Sequence, residues 1–219
     1  TYGFPVEMTQ EIAGEQNVVV DMKAFEQEMT SQRERARSSA QFTGDRAKIR
    51  LYENMGVGAT EFLGYEKIES SSVVVGLIVG NQVVSEACKG EEVEIALVKT
   101  PFYPEGGGQV GDQGVIKNSN AEIIVLDTQS PVEGFIFHRS KLLNGSISIT
   151  DQVKSTVNID LRNGSKRNHT GTHMLHAALR EILGTHVHQQ GSLVSPTRLR
   201  FDFTHVKKLS DDEDRLKGY

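Results

Sequence analysis

The chain has 219 residues, 37% hydrophobic and 24% charged, with a formal net charge of −5, a composition ordinary for a soluble chain and long enough to bury a sizeable core. No apolar run approaches the roughly 18 residues a membrane-spanning helix needs, and a single cysteine, Cys88, excludes an internal disulfide framework and suits a reducing compartment. The average charge hides an asymmetry: residues 161–208 hold eight Lys or Arg against only Glu181 and Asp202, a net of +6.

Taken in order, Thr1-Tyr2-Gly3-Phe4-Pro5 reads as a turn, and Asp21 is placed to cap a helix running to about Ala40. Met22, Phe25 and Met29 share one side of that helix, and Arg33, Arg35 and Arg37 make its end a solvated face. A short helix around Asp45–Met55 precedes the break at Gly56-Val57-Gly58. From Ser72 the pattern turns β-branched and apolar, with Gly80-Asn81 as a two-residue hairpin signal before Gln82-Val83-Val84. Further strands are expected at Val93–Lys99, Gly114–Lys117, Ala121–Asp127, Gly134–Arg139, Ser146–Ile149 and Thr156–Leu161. Short strands at this spacing predict an antiparallel barrel or a highly curved sheet.

Inside that region lies Thr100-Pro101-Phe102-Tyr103-Pro104-Glu105-Gly106-Gly107-Gly108-Gln109-Val110-Gly111-Asp112. The glycines lack the Gly-Lys-Ser/Thr ending of a phosphate-binding P-loop, so nucleotide binding is a poor reading. They suit either a tight turn or a loop whose backbone approaches a ligand.

At about Arg162 the period changes from 2 to 3.6. Asn168-His169-Thr170-Gly171-Thr172-His173-Met174-Leu175-His176 begins a helix expected over His169–Leu183, with Asn168 as N-cap and Gly184 past its end. Apolar Leu175, Ala178, Leu179, Ile182 and Leu183 form one stripe, and His169, Thr172, His173 and His176 lie about a third of a turn away. Imidazoles at i and i+4 can converge on one zinc ion, or simply belong to a histidine-rich polar face. Thr170 stands where the glutamate base of a His-Glu-x-x-His peptidase would be, which argues against that chemistry. His186-Val187-His188-Gln189 then alternates like a strand, Ser195-Pro196-Thr197 turns, and Leu199, Phe201 and Phe203 return on one face. The surrounding positive charge fits either a solvated surface or a phosphate-bearing substrate. Asp211-Asp212-Glu213-Asp214 begins another helix.

The Arg167–His173 motif through Phe203, the glycine-rich stretch and Thr1–Pro5 together resemble, in order, the alanyl-tRNA synthetase family, and chiefly its editing domain. The resemblance covers nearly the whole chain. It implies an α+β architecture. Residues 1–55 would be the end of the helical tRNA-recognition region, 60–155 a β-barrel-like editing subdomain, and 156–219 an α/β subdomain carrying the His-x-x-x-His helix. It further implies an internal fragment of an alanine–tRNA ligase, working in the cytoplasm or in an organelle. Its partner is tRNA(Ala), with the mischarged 3′ end of Ser-tRNA(Ala) or Gly-tRNA(Ala) as substrate, and no membrane is involved. His169 and His173 become zinc ligands in a site the family completes with a downstream Cys-x-x-x-His, which this chain lacks. ATP and magnesium belong to an aminoacylation domain outside this sequence. Thr172, Gln189, Gln109 and Asp112 are expected in the deacylation pocket, and Arg162, Lys166, Arg167, Arg198 and Arg200 against tRNA. A free-standing alanyl-tRNA deacylase and a non-catalytic RNA-binding module are the alternatives; the helical Thr1–Ala40 segment argues against the first.

Overall fold

A computed structural model describes residues 13, 20–40, 49–53, 55–132 and 134–205, with side chains 32–40 left out. Its architecture is α+β. Helix α1 (Met22–Ala40) starts where Asp21 accepts the Ala24 amide at 3.0 Å. The Thr1–Pro5 turn, the Arg33, Arg35 and Arg37 side chains and the acidic Asp211–Asp214 segment lie outside the described residues, as do 45–48 and 54 of the helix expected around Asp45–Met55, of which 49–53 are helical.

Twelve strands follow among the described residues: β1 (Glu61–Phe62), β2 (Glu69–Val79), β3 (Gln82–Val84), β4 (Glu86–Cys88), β5 (Glu92–Leu97), β6 (Lys99–Thr100), β7 (Gly114–Lys117), β8 (Ala121–Val132), β9 (Phe135–Ser148), β10 (Gln152–Val157), β11 (Gln189–Val194) and β12 (Leu199–Phe203). Helix α2 (Ile159–Leu183) stands between β10 and β11. Strands β10, β7, β8, β9, β5 and β2 pair in that order, and β2 pairs back onto β10, closing a six-stranded antiparallel barrel.

Closure follows from alternation. In β8, Ala121, Ile123 and Val125 are buried while Glu122, Ile124 and Leu126 face out. The inward set joins Val74, Leu77, Ile95, Leu97, Phe102, Ile116, Leu142 and Val153 in one core. A register shift between Val74 and Gly76 keeps Leu77 in that core and turns Ile78 to a second cluster with Tyr52, Ala96 and Phe137. The Gly80-Asn81 hairpin has φ of 53° and 69°, the double left-handed geometry of a type I′ turn.

Three expectations need correcting. The two strands expected at Gly134–Arg139 and Ser146–Ile149 are one 14-residue strand, β9. Within it Gly145 and Asn144 pair with Ala121 and Glu122, and the register shift falls at Leu143; Gly145 has φ 72°, and a Cβ there would lie 1.6 Å from the Asn120 carbonyl. The strand expected over Thr156–Leu161 ends at Val157, because Asn158 caps a helix, its side chain accepting the Asp160 and Leu161 amides at 3.2 Å. Asn168 is therefore mid-helix, where Nδ2 donates to the Ser195 carbonyl at 2.7 Å. Gly164 hides the true start by its poor helix propensity, yet a Cβ there would lie 2.5 Å from the Pro196 carbonyl of the β11–β12 turn. Finally, β11 begins only at Gln189, so His186 and His188 precede it.

Candidate active site

Helix α2, the glycine-rich loop and the β11–β12 hairpin meet at one place. The loop needs its glycines. Gly107 and Gly108 have φ of 59° and 81°, and a Cβ on Gly108 would sit 2.2 Å from Ser192 Oγ. That closeness lets the Val194 amide donate to the Gly108 carbonyl at 2.7 Å and the Val110 amide to the Val194 carbonyl at 3.0 Å, so the loop joins the hairpin as an added strand segment. Gln109 is buried by this docking, and its Oε1 lies 2.8 Å from Nδ1 of His169 on α2.

An amide oxygen only accepts, so Nδ1 of His169 carries the proton and Nε2 keeps its lone pair. His173 is one turn further along, exposed, its ring centroid 5.1 Å from that of His169. The pair can offer nitrogen lone pairs to a divalent ion. Among the described residues no group of three His, Cys, Asp or Glu is placed to hold a metal. His176 packs its ring on Phe201 at 5.1 Å, and His186 is engaged with His205, Nε2 to Nδ1 3.0 Å.

A cleft of about 430 Å³ opens beside His169, lined by Gly64, Tyr65, Tyr103, Gln109, Arg162, Lys166, His169 and Thr170. Four of the expected site residues thus share it: Gln109, His169, Lys166 and Arg162. Thr172 does not line it; it is buried, and its hydroxyl donates to the Asn168 carbonyl at 2.8 Å along its own helix. Gln189 is exposed on β11, its Nε2 3.1 Å from Ser192 Oγ, which places it beside the glycine loop.

Burial sets two of the expected residues apart. Arg162 is not a surface cation awaiting phosphate, and Asp112 is not an open pocket carboxylate. Both are buried, and each is taken up by the other. Arg162 Nε donates to both Asp112 oxygens at 3.0 and 2.8 Å, Nη2 also pairs with Oδ2, and Nη1 and Nη2 donate to the Gly64 and Pro101 carbonyls at 2.8 Å. Asp112 further accepts the Tyr103 amide at 2.7 Å. Their work is to fasten the loop and the Gly64 turn to the first part of α2. Of the other expected cations, Lys166, Arg167 and Arg198 are exposed, and Arg200 is paired with Asp202 at 2.9 Å.

The aromatic wall of the cleft, Tyr65 and Tyr103, was not singled out by sequence. Tyr65 falls in a stretch with neither helical nor strand period, leaving only the Gly-Tyr turn as a signal. Burial, with Tyr65 and Asp112 nearby, raises the Tyr103 phenol above its usual 10.0.

The profile of the family described as tRNA synthetases class II (A) matches residues 1–161. The chain is 44% identical over 98% of its length to an alanine–tRNA ligase of Carboxydothermus hydrogenoformans, covering 25% of that protein. It is 48% identical over 97% of its length to one of Fervidobacterium nodosum, and 42% over 98% to one of Chloroflexus aurantiacus, covering 24% of each. The chain spans about a quarter of the length of the curated relatives it matches. With its profile met across 161 of 219 residues, the chain belongs to the class II (A) tRNA synthetase family.

Proposed function

We propose that this chain is the editing region of an alanine–tRNA ligase, hydrolysing the ester that links a wrong amino acid to the 3′ end of tRNA(Ala). The observation that carries the reading is the Gln109–His169 hydrogen bond, which joins the glycine-rich loop to the histidine helix at the mouth of a cleft. Neither motif alone separates a turn or a polar helix face from a site; their convergence supports the reading as a site.

Such an activity answers a need of alanine selection. An apolar pocket cannot strongly reject a smaller substrate or one that adds only a hydroxyl, so glycine and serine are the natural mistakes. A second, hydrolytic site removes them. Water attacks the ester carbonyl, the bond to the ribose oxygen breaks, and the free amino acid and the tRNA hydroxyl leave.

In this reading Gln109 orients His169, and the backbone of Gly107-Gly108 lies against the substrate. Gln189, reached through Ser192, steers the amino-acid end, and buried Thr172, bonded to the Asn168 carbonyl, sits within the helix that carries the two histidines. Lys166 and Arg167 draw the phosphates of the tRNA end. His169 and His173 would hold a zinc ion, with further ligands from residues outside those described, and that ion supplies Lewis-acid polarisation when bound.

The test uses the full-length ligase that contains this region. Gln189→Ala should slow Ser-tRNA(Ala) hydrolysis roughly 10- to 100-fold, the effect of about 1–3 kcal/mol for one orienting hydrogen bond, and His173→Ala should slow it more. Alanine charging should remain normal in both. Unchanged hydrolysis in His173→Ala, or lost charging with hydrolysis kept, overturns the reading.

A further inference from the structure

Tyr65 is 84% exposed, an unusual position for a large ring. It is not a loose one. The Leu63 amide donates to the Thr100 carbonyl at 2.8 Å, and the Glu66 and Lys67 amides return to the Leu63 carbonyl at 3.1 and 3.0 Å. Within this turn the Gly64 carbonyl accepts from buried Arg162, and a Cβ on Gly64 would meet the Pro101 carbonyl at 2.4 Å. The turn is thus pinned from both sides, and the ring it carries is held out in advance of any ligand.

Behind Tyr65 stands Phe62, edge-on, with centroids 5.0 Å apart at 80°, and Phe62 meets Tyr103 in the same manner at 6.0 Å and 68°. Tyr65 and Tyr103 are shared by two neighbouring clefts. One is the cleft of His169 and Gln109; the other, of about 310 Å³, is lined by Phe62, Pro104, Gly106 and Ile136 among others. Lys166 lies on the rim of the first. A pre-held aromatic face, a cation beside it and a reactive cleft next door are what the last nucleotide of a single-stranded RNA end requires: a base to stack and a phosphate to neutralise.

We propose that Tyr65, backed by Phe62 and Tyr103, is the stacking platform for the terminal nucleobase of the tRNA 3′ end whose ester enters the Gln109–His169 cleft. The proposal rests on the editing reading and adds to it the position of the nucleoside half of the substrate. A protein segment docking on the same rings would instead be indifferent to the terminal base.

The experiment uses the full-length ligase and a short single-stranded RNA of the tRNA 3′ sequence carrying 2-aminopurine as its last base. Stacking should quench its fluorescence saturably with the unaltered enzyme and with Tyr65→Phe. Tyr65→Leu should weaken binding roughly tenfold or more and lose the quench. Lys166→Ala should weaken binding and flatten its salt dependence while keeping the quench. The platform is overturned if Tyr65→Leu quenches as the unaltered enzyme does, if the unaltered enzyme gives no quench, or if an RNA lacking the terminal base binds equally well. Failure of the two ideas is distinguishable. Quenching without Ser-tRNA(Ala) hydrolysis removes the editing reading and keeps the platform, whereas hydrolysis with an unchanged KM in Tyr65→Leu removes the platform and keeps the editing reading.

Discussion

Gln109 and His169, 60 residues apart in sequence, meet through a 2.8 Å hydrogen bond that fixes which imidazole nitrogen is free. A ligating histidine commonly has its other nitrogen held in this way, and loss of such a partner typically costs about 10- to 100-fold in metal affinity or activity. Gln109→Ala in the full-length ligase should therefore lose zinc affinity on that scale in a chelator competition, whereas Gln109→Glu, which still accepts from Nδ1, should retain most of it. The isolated chain should hold zinc weakly, because two imidazoles leave two positions of a tetrahedral site open. One tightly held zinc per isolated chain, or an unchanged affinity in Gln109→Ala, contradicts this.

The Arg162–Asp112 pair makes a prediction about folding instead of chemistry. Asp112→Ala strands a buried guanidinium, and Arg162→Leu strands a buried carboxylate; breaking such a pair from one side costs about 3–5 kcal/mol. Arg162→Lys should recover little, since one ammonium cannot reach Asp112, Gly64 and Pro101 in the geometry of a planar fork. The double replacement should be less harmful than the sum of the singles. Urea midpoints measure this, and single variants within about 1 kcal/mol of the parent would remove the pair from its structural role.

The barrel was legible because alternation and the Gly80-Asn81 turn act over a few residues. What was not legible depends on distant partners. Arg162 reads as one more cation in a basic stretch, and only Asp112, 50 residues earlier, makes it an interior group. The first part of α2 is masked by Gly164, which suits close approach to the hairpin at Pro196 rather than helix propensity. The histidines were legible as a spacing, but the meeting of Gln109 with His169 depends on how the loop packs against β11. Thr172, expected to touch substrate, has its hydroxyl proton committed to its own helix.

His138 yields a prediction about pH. It is fully buried in the barrel wall, where Nδ1 lies 2.8 Å from the Ile95 carbonyl and must donate, while Nε2 accepts from Thr100 Oγ1 at 2.7 Å. Burial lowers its pKa from 6.5 to about 4, outweighing the opposing bond to Ile95. Because the folded value lies below the unfolded one, the unfolded chain takes up the proton first. Above about pH 6.5 the ring is neutral in both states and stability is unaffected. As pH falls from 6.5 towards about 4 stability drains away, by a total on the order of 3 kcal/mol. Between about pH 7.5 and about pH 5 the loss from this residue should be about 2 kcal/mol. His138→Gln keeps a donor and an acceptor without titrating, so its urea midpoint should fall less steeply over that interval, even if it starts lower. Parallel slopes for the parent and His138→Gln would show that the acid sensitivity arises elsewhere.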